Sequence, residues 1–458
     1  MLLASDMSAF EKVCLFLSFK SMNMMKLRSE RFYLYRADKE SPMTARLTLC
    51  MNDAVDGQLL REAVADTQKR YPYFCVRLGA YNDEQGIEHA AFNDNPLPWV
   101  VADGRKPLTL MSPETNGHLL AFSWWDNCIA LDFFHALTDG TGAYNVLRTL
   151  LYEYCRRRFD RNLCPDGVWT ASSPIADEEW IDPATMPHPE LPKQQPAPVF
   201  PKTLNIAENP IAPITDRHET VHILIDEEQM MAKIRACNGT PVVWLSLLLN
   251  KAIARLHSCG DESRPAVAVA VNMRKALGTP LSHHSLAGGI SLRFTKQMQD
   301  WDIEKQIAEM RRTVAQNTAP DILRAQFWQS SDRMDLLDKL PTLEARHQTM
   351  AQQVKVIARQ RGSASLSYVG KANLGAAEQY VRELRTDLDT PFLILIELAA
   401  VIGSFCLSFI HQFGTDVYLD AFLNELQQQG VSYTITERHP IETAPINDFW
   451  NRNNKQVL

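Results

Sequence analysis

The sequence is short of the features that would set it apart from an ordinary globular chain. Its nine cysteines include no CxxC pair and keep no regular spacing, so neither a disulfide framework nor a zinc-ligand pattern is present. They read as reduced thiols, which suits a cytoplasmic protein. Positive charge is not in excess either. The formal net charge is -7, so no summed field draws in a polyanion, and nucleic-acid binding is excluded. Arg156, Arg157 and Arg158 are the one basic run, and they read as a solvated helix end. A long apolar run free of charge is also missing. Pro391 to Ile410, "PFLILIELAAVIGSFCLSFI", has about the length of a bilayer span, but Glu397 stands in its middle and Gly403 and Ser404 break it. A charge at a span's centre costs about 2.5 to 3.5 kcal/mol, so two short buried strands joined by a turn are predicted instead. Near the start, Asp6 and Glu11 precede the apolar patch, with no basic n-region or cleavage site. With Met7, Met22, Met24 and Met25 close by, the first two dozen residues are read as an extension or an upstream start.

What is there fits two soluble lobes. At 458 residues, 45% apolar and 22% charged, the chain is long enough for two domains on a prior of about 100 to 200 residues each. Alternation predicts a strand over 43–51, and Leu59, Leu60, Ala63 and Val64 give helical spacing over 56–69. Two apolar runs, 119–125 and 128–134, flank Asp126 and Asn127 as a hairpin. A helix is expected over 143–158, with Leu147, Leu150, Leu151 and Tyr154 on one face. Eight prolines then fall between Pro187 and Pro213, which neither a helix nor a central strand tolerates. This segment reads as an extended crossover. Beyond it come a strand at 219–225, a helix at 241–257 with Pro241 in its first turn, strands at 266–272 and 363–369, helices within 302–358, and a last helix at 419–429. The expected division is 1–186, a linker at 187–214, and 215–458. A similar order of elements in both lobes suggests two copies of one α/β unit, without an exact sequence repeat.

The chemistry-bearing feature is "IALDFFHALTDGTGAYN", residues 129–145. An apolar strand runs into His135, and an Asp-Gly corner follows before a helix. Histidine is the side chain best suited to take a proton near neutral pH. Asp139 has three uses open to it: orienting the ring, capping the helix, or pairing with a distant cation. A turn histidine beside an Asp N-cap accounts for the same residues. "DGTG" lacks both the third glycine of a dinucleotide fingerprint and a P-loop lysine. His283 and His284 lie beside Ser282 and Ser285, but adjacent residues point apart and no third ligand follows, so a loop is expected and no metal site. Trp124 and Trp125 read as core, with the wall of an acyl pocket as the alternative.

"HALTDG" matches the HxxxDG motif of the chloramphenicol-acetyltransferase-like superfamily of acyltransferases and condensation domains. "RYPYFCVRLG" at 70–79 resembles the family's early strand, "VNMR" at 271–274 its NxR strand end, and "SLSYVGK" at 365–371 its late Ser-x-Val-Gly segment. These fall in the family's order from about residue 30 to 430. In texture the chain is most similar to bacterial free-standing alcohol acetyltransferase and condensation-type proteins. The resemblance implies an α/β (α+β) two-layer sandwich, with two such lobes in one chain and a channel at their interface. It implies His135 as general base, with Asp139 and Gly140 completing the motif, Arg274 as the structural partner of Asp139, and Gly140 allowing a close turn. Ser367 and Tyr368 are the candidates for an oxyanion donor or channel wall, with core packing as the alternative. Two departures stand out. Phe134 occupies the place where many condensation domains carry a second histidine, and the plant-type DFGWG is missing, "HQFGTD" at 411–416 reading as a turn.

The implied activity is transfer of an acyl group from acyl-CoA, or from a carrier-bound phosphopantetheine thioester, to a hydroxyl or amine acceptor. No cofactor beyond that co-substrate is expected. The alternatives are a stand-alone condensation enzyme that docks an acyl-carrier protein, and a non-catalytic homologue acting as a binding module. A monomer is expected, since two lobes in one chain replace the trimer of single-lobe relatives.

Overall fold

The computed structural model describes residues 25–188, 203–258, 260, 263–401, 403–447 and 449, and of 354–361 the backbone alone. The early methionines before Met25 and the middle of the proline-rich crossover lie outside the described residues.

A short strand β1 (Met25–Lys26) and a single turn α1 (Arg31–Leu34) precede the first large sheet. Strand β2 (Thr44–Met51) places Ala45, Leu47, Leu49 and Met51 in the first core, the period-2 pattern of its sequence. Helix α2 (Gly57–Arg70) starts where the Asp56 side chain accepts from the amides of Gln58 and Leu59, and it buries Leu60, Ala63 and Val64. Strands β3 (Val76–Asn82) and β4 (Glu88–Asp94) pair with β1 as a small separate sheet. Strand β5 (Val101–Asp103) and the expected hairpin, β6 (Leu120–Trp125) and β7 (Cys128–Phe134), lead to the long helix α3 (Gly140–Arg158). Trp124 packs over Gly57, where an added Cβ would meet its ring at 2.4 Å. The guanidiniums of Arg46 and Arg105 each lie 5.6 Å from the centre of the Trp125 ring.

The second large sheet is built from β8 (Ile214–Asp226), β9 (Ala266–Asn272), β10 (Ala287–Arg293), β11 (Ala364–Lys371), β13 (Ile394–Val401), β14 (Ser404–Phe413) and β15 (Thr434–Pro440). Its order is β10-β9-β11-β13-β14-β8-β15. One face carries the second core, which includes residues of α4 (Glu227–Ala236), α5 (Pro241–Leu256), α6 (Ile303–Asn317) and α9 (Val417–Gln428). The other face turns to the first lobe: along β13, Ile394, Ile396, Leu398 and Ala400 belong to the second core, whereas Ala399 and Val401 belong to the first. The apolar stretch 391–410 is thus two buried antiparallel strands, as its interrupted pattern predicts. Among the described residues no helix is long and apolar enough to cross a membrane.

Strand β12 (Val381–Leu388) breaks the sequential order. It pairs antiparallel with β2 and completes the first sheet as β12-β2-β7-β6-β5, although it lies well inside 215–458. Ala444, Ile446 and Phe449 pack in the first core as well, as do Met334, Leu343 and Met350, the first two from α7 (Pro320–Leu337) and the start of α8 (Leu343–Arg361) and the third from α8 itself. The physical reason is that β2 would otherwise be a bare edge with unpaired backbone groups. The amides of Leu384 and Thr386 on β12 also donate to Cys406 Sγ (3.4 Å) and Ser408 Oγ (3.2 Å) of β14, stitching one sheet to the other.

Candidate active site

His135 stands at the end of β7, where its amide donates to the Met43 carbonyl at 2.9 Å and ends the ladder with β2. Leu137 N–H closes back on the Phe134 carbonyl at 2.9 Å, and the chain turns into α3. Asp139 is the N-cap of that helix: its Oδ1 accepts from the amides of Thr141 (3.0 Å) and Gly142 (3.4 Å). The same carboxylate takes both arms of the Arg274 guanidinium, at 2.8 Å each, and the Leu286 amide at 3.0 Å. Arg274 donates further to the carbonyls of Ser282 (2.8 Å) and His284 (2.6 Å). Both side chains are buried. The pair therefore ties the corner of the first lobe to the 272–286 loop of the second, and a third bond, Thr138 Oγ1 to the His283 carbonyl at 2.7 Å, runs alongside it.

Gly140 is the first residue of α3 and shows no left-handed backbone. The close turn expected of it is not what requires glycine here. A Cβ at that position would lie 2.6 Å from Val369 Cγ2, just beyond the Ser367–Tyr368 pair on β11. Glycine is needed because the two lobes approach each other there.

The His135 ring is only partly covered. Tyr33 stacks on it with centroids 4.1 Å apart and planes 6° from parallel. Ser285 Oγ lies 3.3 Å from Nδ1, and the Tyr33 hydroxyl bonds Ser285 in turn. The ring also bonds its own main-chain carbonyl, while Nε2 has no hydrogen-bond partner among the described residues. Burial lowers the imidazole below its ordinary pKa, and the nearby Asp139 charge offsets part of that. The result is a neutral, clamped imidazole with one nitrogen left for a visiting proton.

His283 and His284 lie in an irregular buried loop. Their rings do not point apart: the centroids are 4.0 Å from each other, because the alternation of a strand does not apply to this backbone. His283 Nδ1 lies 2.7 Å from the Glu179 carbonyl, and its ring stacks on Tyr73 at 4.3 Å. His284 Nδ1 bonds the Glu30 carboxylate, beside Asp182. Burial works against charge on His284 and Glu30, but each is the other's counter-ion, so the imidazolium is held above its usual pKa and the carboxyl below its own. Asp182 is pushed up by burial and by the Glu30 charge.

Of the residues singled out in the sequence, His135, Asp139, Gly140 and Arg274 come together, and Ser367 and Tyr368 do not join them. The Tyr368 ring packs toward the second core near Phe405, 6.2 Å between centroids. Ser367 is in register with Glu397 and bonds it. Neither bonds His135 among the described residues. Tyr33, Ser285 and Glu30 were not legible as site residues. Ser285 was the nearest to being so, through its place in "SHHS".

Neither a protein-family model nor a curated protein sequence matches the chain. Solved structures do match in fold. F. graminearum TRI101 complexed with coenzyme A and T-2 mycotoxin aligns with TM-score 0.58 and 12% identity, over 90% of this chain and 99% of that one. Polyketide synthase associated protein 5 from Mycobacterium tuberculosis gives 0.53 and 11%, over 88% and 96%. The condensation domain of the monacolin K polyketide synthase MokA gives 0.55 and 13%, over 89% and 97%. The chain has the two-lobed chloramphenicol-acetyltransferase-like fold.

Proposed function

We propose that this protein is an acyltransferase that moves an acyl group from acyl-CoA, or from an acyl-carrier thioester, to a hydroxyl or amine acceptor, with His135 as general base. The supporting observation is the state of the His135 ring: neutral, held through Nδ1 and by the Tyr33 face, with Nε2 unpaired. In the reaction, Nε2 accepts the acceptor's proton as its oxygen or nitrogen attacks the thioester carbonyl. The tetrahedral intermediate collapses with cleavage of the C–S bond, and the imidazolium returns the proton to the departing thiolate. Asp139 and Arg274 take no part in proton movement; they hold the corner and the opposing loop in register. The coenzyme A bound to TRI101 makes a CoA thioester the first donor to test.

The experiment is thiol release from acetyl-CoA and longer acyl-CoAs with a panel of alcohols and amines, wild type beside His135→Ala, with products identified by mass spectrometry. Acceptor-dependent release that disappears in the variant supports the reading. The likeness to a condensation domain gives the second reading, a stand-alone condensation enzyme. Turnover with carrier-bound donors and none with CoA thioesters would select it, and binding without turnover of either would select a non-catalytic binding module.

A further inference from the structure

Away from His135, the seam between the two large sheets holds a second convergence of imidazole and carboxylate. His222 is on β8, His439 on β15 and Asp387 on β12, so both sheets contribute. The Nε2 atoms of His222 and His439 face each other at 3.0 Å, and Asp387 Oδ2 lies 4.0 Å from His222 Nε2. One ligand-type atom from each residue falls within 4.8 Å of the other two.

The other polar atoms of all three are occupied in a way that aims these atoms inward. His439 Nδ1 is 2.8 Å from the Pro440 carbonyl, which only accepts, so the proton sits on Nδ1 and Nε2 keeps its lone pair. His222 Nδ1 is 2.9 Å from Ser408 Oγ. Asp387 Oδ1 accepts from the Thr220 hydroxyl at 2.7 Å and the Glu442 amide at 3.4 Å. Metal-bound histidines are oriented by just such outer hydrogen bonds to carbonyls, hydroxyls and carboxylates. The cations nearby are already engaged, Arg105 with Glu437 and Glu442, and Arg385 with Glu383 and Glu437. No lysine or arginine bonds Asp387 among the described residues, although it is only 2% exposed. His439 is partly exposed and opens the cluster to solvent.

We propose that His222, His439 and Asp387 form a binding site for one divalent transition-metal ion, Zn2+ by its donor set, with solvent in the fourth position. Two imidazole nitrogens and one carboxylate are a zinc set. Ligand atoms bound at about 2.0 to 2.2 Å around a tetrahedral ion stand about 3.3 Å apart. The two nitrogens, 3.0 Å apart, therefore separate slightly, and Asp387 Oδ2, 4.0 Å from His222 Nε2, moves in. The ion would fasten β12, the strand that crosses into the first sheet, to β8 and β15 of the second.

The test uses the full-length protein, stripped with EDTA, dialysed and titrated with ZnCl2 by calorimetry. Co2+ absorption serves as a second probe, and His439→Gln and Asp387→Asn are run in parallel. The expected result is one Zn2+ per chain, a tetrahedral-type visible Co2+ spectrum, and a Zn2+-dependent rise in Tm, with affinity at least about 100-fold weaker in His439→Gln. Circular dichroism checks that the variants remain folded. No Zn2+ uptake by the wild type would overturn the proposal and leave the imidazole pair as an N–H···N hydrogen bond. Uptake that His439→Gln leaves unchanged would overturn it equally, placing the ion elsewhere, as at Glu219, His411 and Asp416.

Discussion

Two histidine corners face each other across the lobes, and they are built to opposite ends. His135 has a partly open ring, a free Nε2 and no bonded carboxylate, and its pKa is lowered. His284 is buried against the Glu30 carboxylate, with its pKa raised. The residue type is the same, and the surroundings decide the role. A base has to be neutral with a nitrogen to spare, whereas an ion-paired imidazolium is already satisfied and can only hold structure. The Asp139–Arg274 pair lies between the two corners and belongs with the second kind, since every oxygen and most donors of the pair are bonded within the protein.

The strongest way to break this contrast is to remove one member from each side. His135→Ala is expected to slow turnover by about 10² to 10⁴ while the urea midpoint stays near wild type. Asp139→Ala leaves Arg274 buried without its partner, and an expected loss of about 3 to 5 kcal/mol should appear in urea unfolding together with the loss of activity. An Asp139→Ala protein that unfolds like wild type would remove the structural role.

Glu30→Gln sharpens the contrast through pH. A raised histidine stabilises fully below its unfolded pKa of about 6.5 and loses that contribution as pH climbs through its higher folded value. A lowered carboxyl stabilises above its unfolded value of about 4.3 and loses it as pH falls through its lower folded one. The Glu30–His284 pair is therefore worth most between about pH 4.3 and 6.5. The Tm deficit of Glu30→Gln should be largest there and shrink toward alkaline pH, and a deficit that grows with pH would contradict the assignment. The smallest effect concerns His135 itself. Because its pKa is lowered, kcat/KM should stay flat through neutral pH and fall on the acid side below about 6.5, the ordinary histidine value. A midpoint above that value would contradict the lowering of the His135 pKa by burial.

The local parts of this design were legible in the residues. The strand into His135, the Asp-Gly corner and the helix after it follow from an apolar run, a capping side chain and a 3.6-residue period, all within the 31 positions from Cys128 to Arg158. The two buried strands of 391–410 were legible for the same reason. Arg274 was reachable only through the resemblance of "VNMR", since nothing in its own neighbourhood points to Asp139. Tyr33, Ser285 and Glu30 carry no signal of that kind: they act on side chains a hundred or more positions away. Gly140 was read as a turn residue, which is a local property, whereas its backbone is not left-handed and the close approach it meets, that of Val369, is not local.

What the sequence determined by itself is therefore the strand, corner and helix around His135, the two buried strands of 391–410, several helices and one motif, since these rest on periodicity, capping and turn chemistry between near neighbours. Only the tertiary structure decided that β12 leaves its own half to close the first sheet, that Arg274 locks Asp139, and that Tyr33 and Ser285 hold His135 while Glu30 takes His284. Each of those is a long-range pairing that exists only once an unpaired edge or a buried charge has to find its partner in three dimensions.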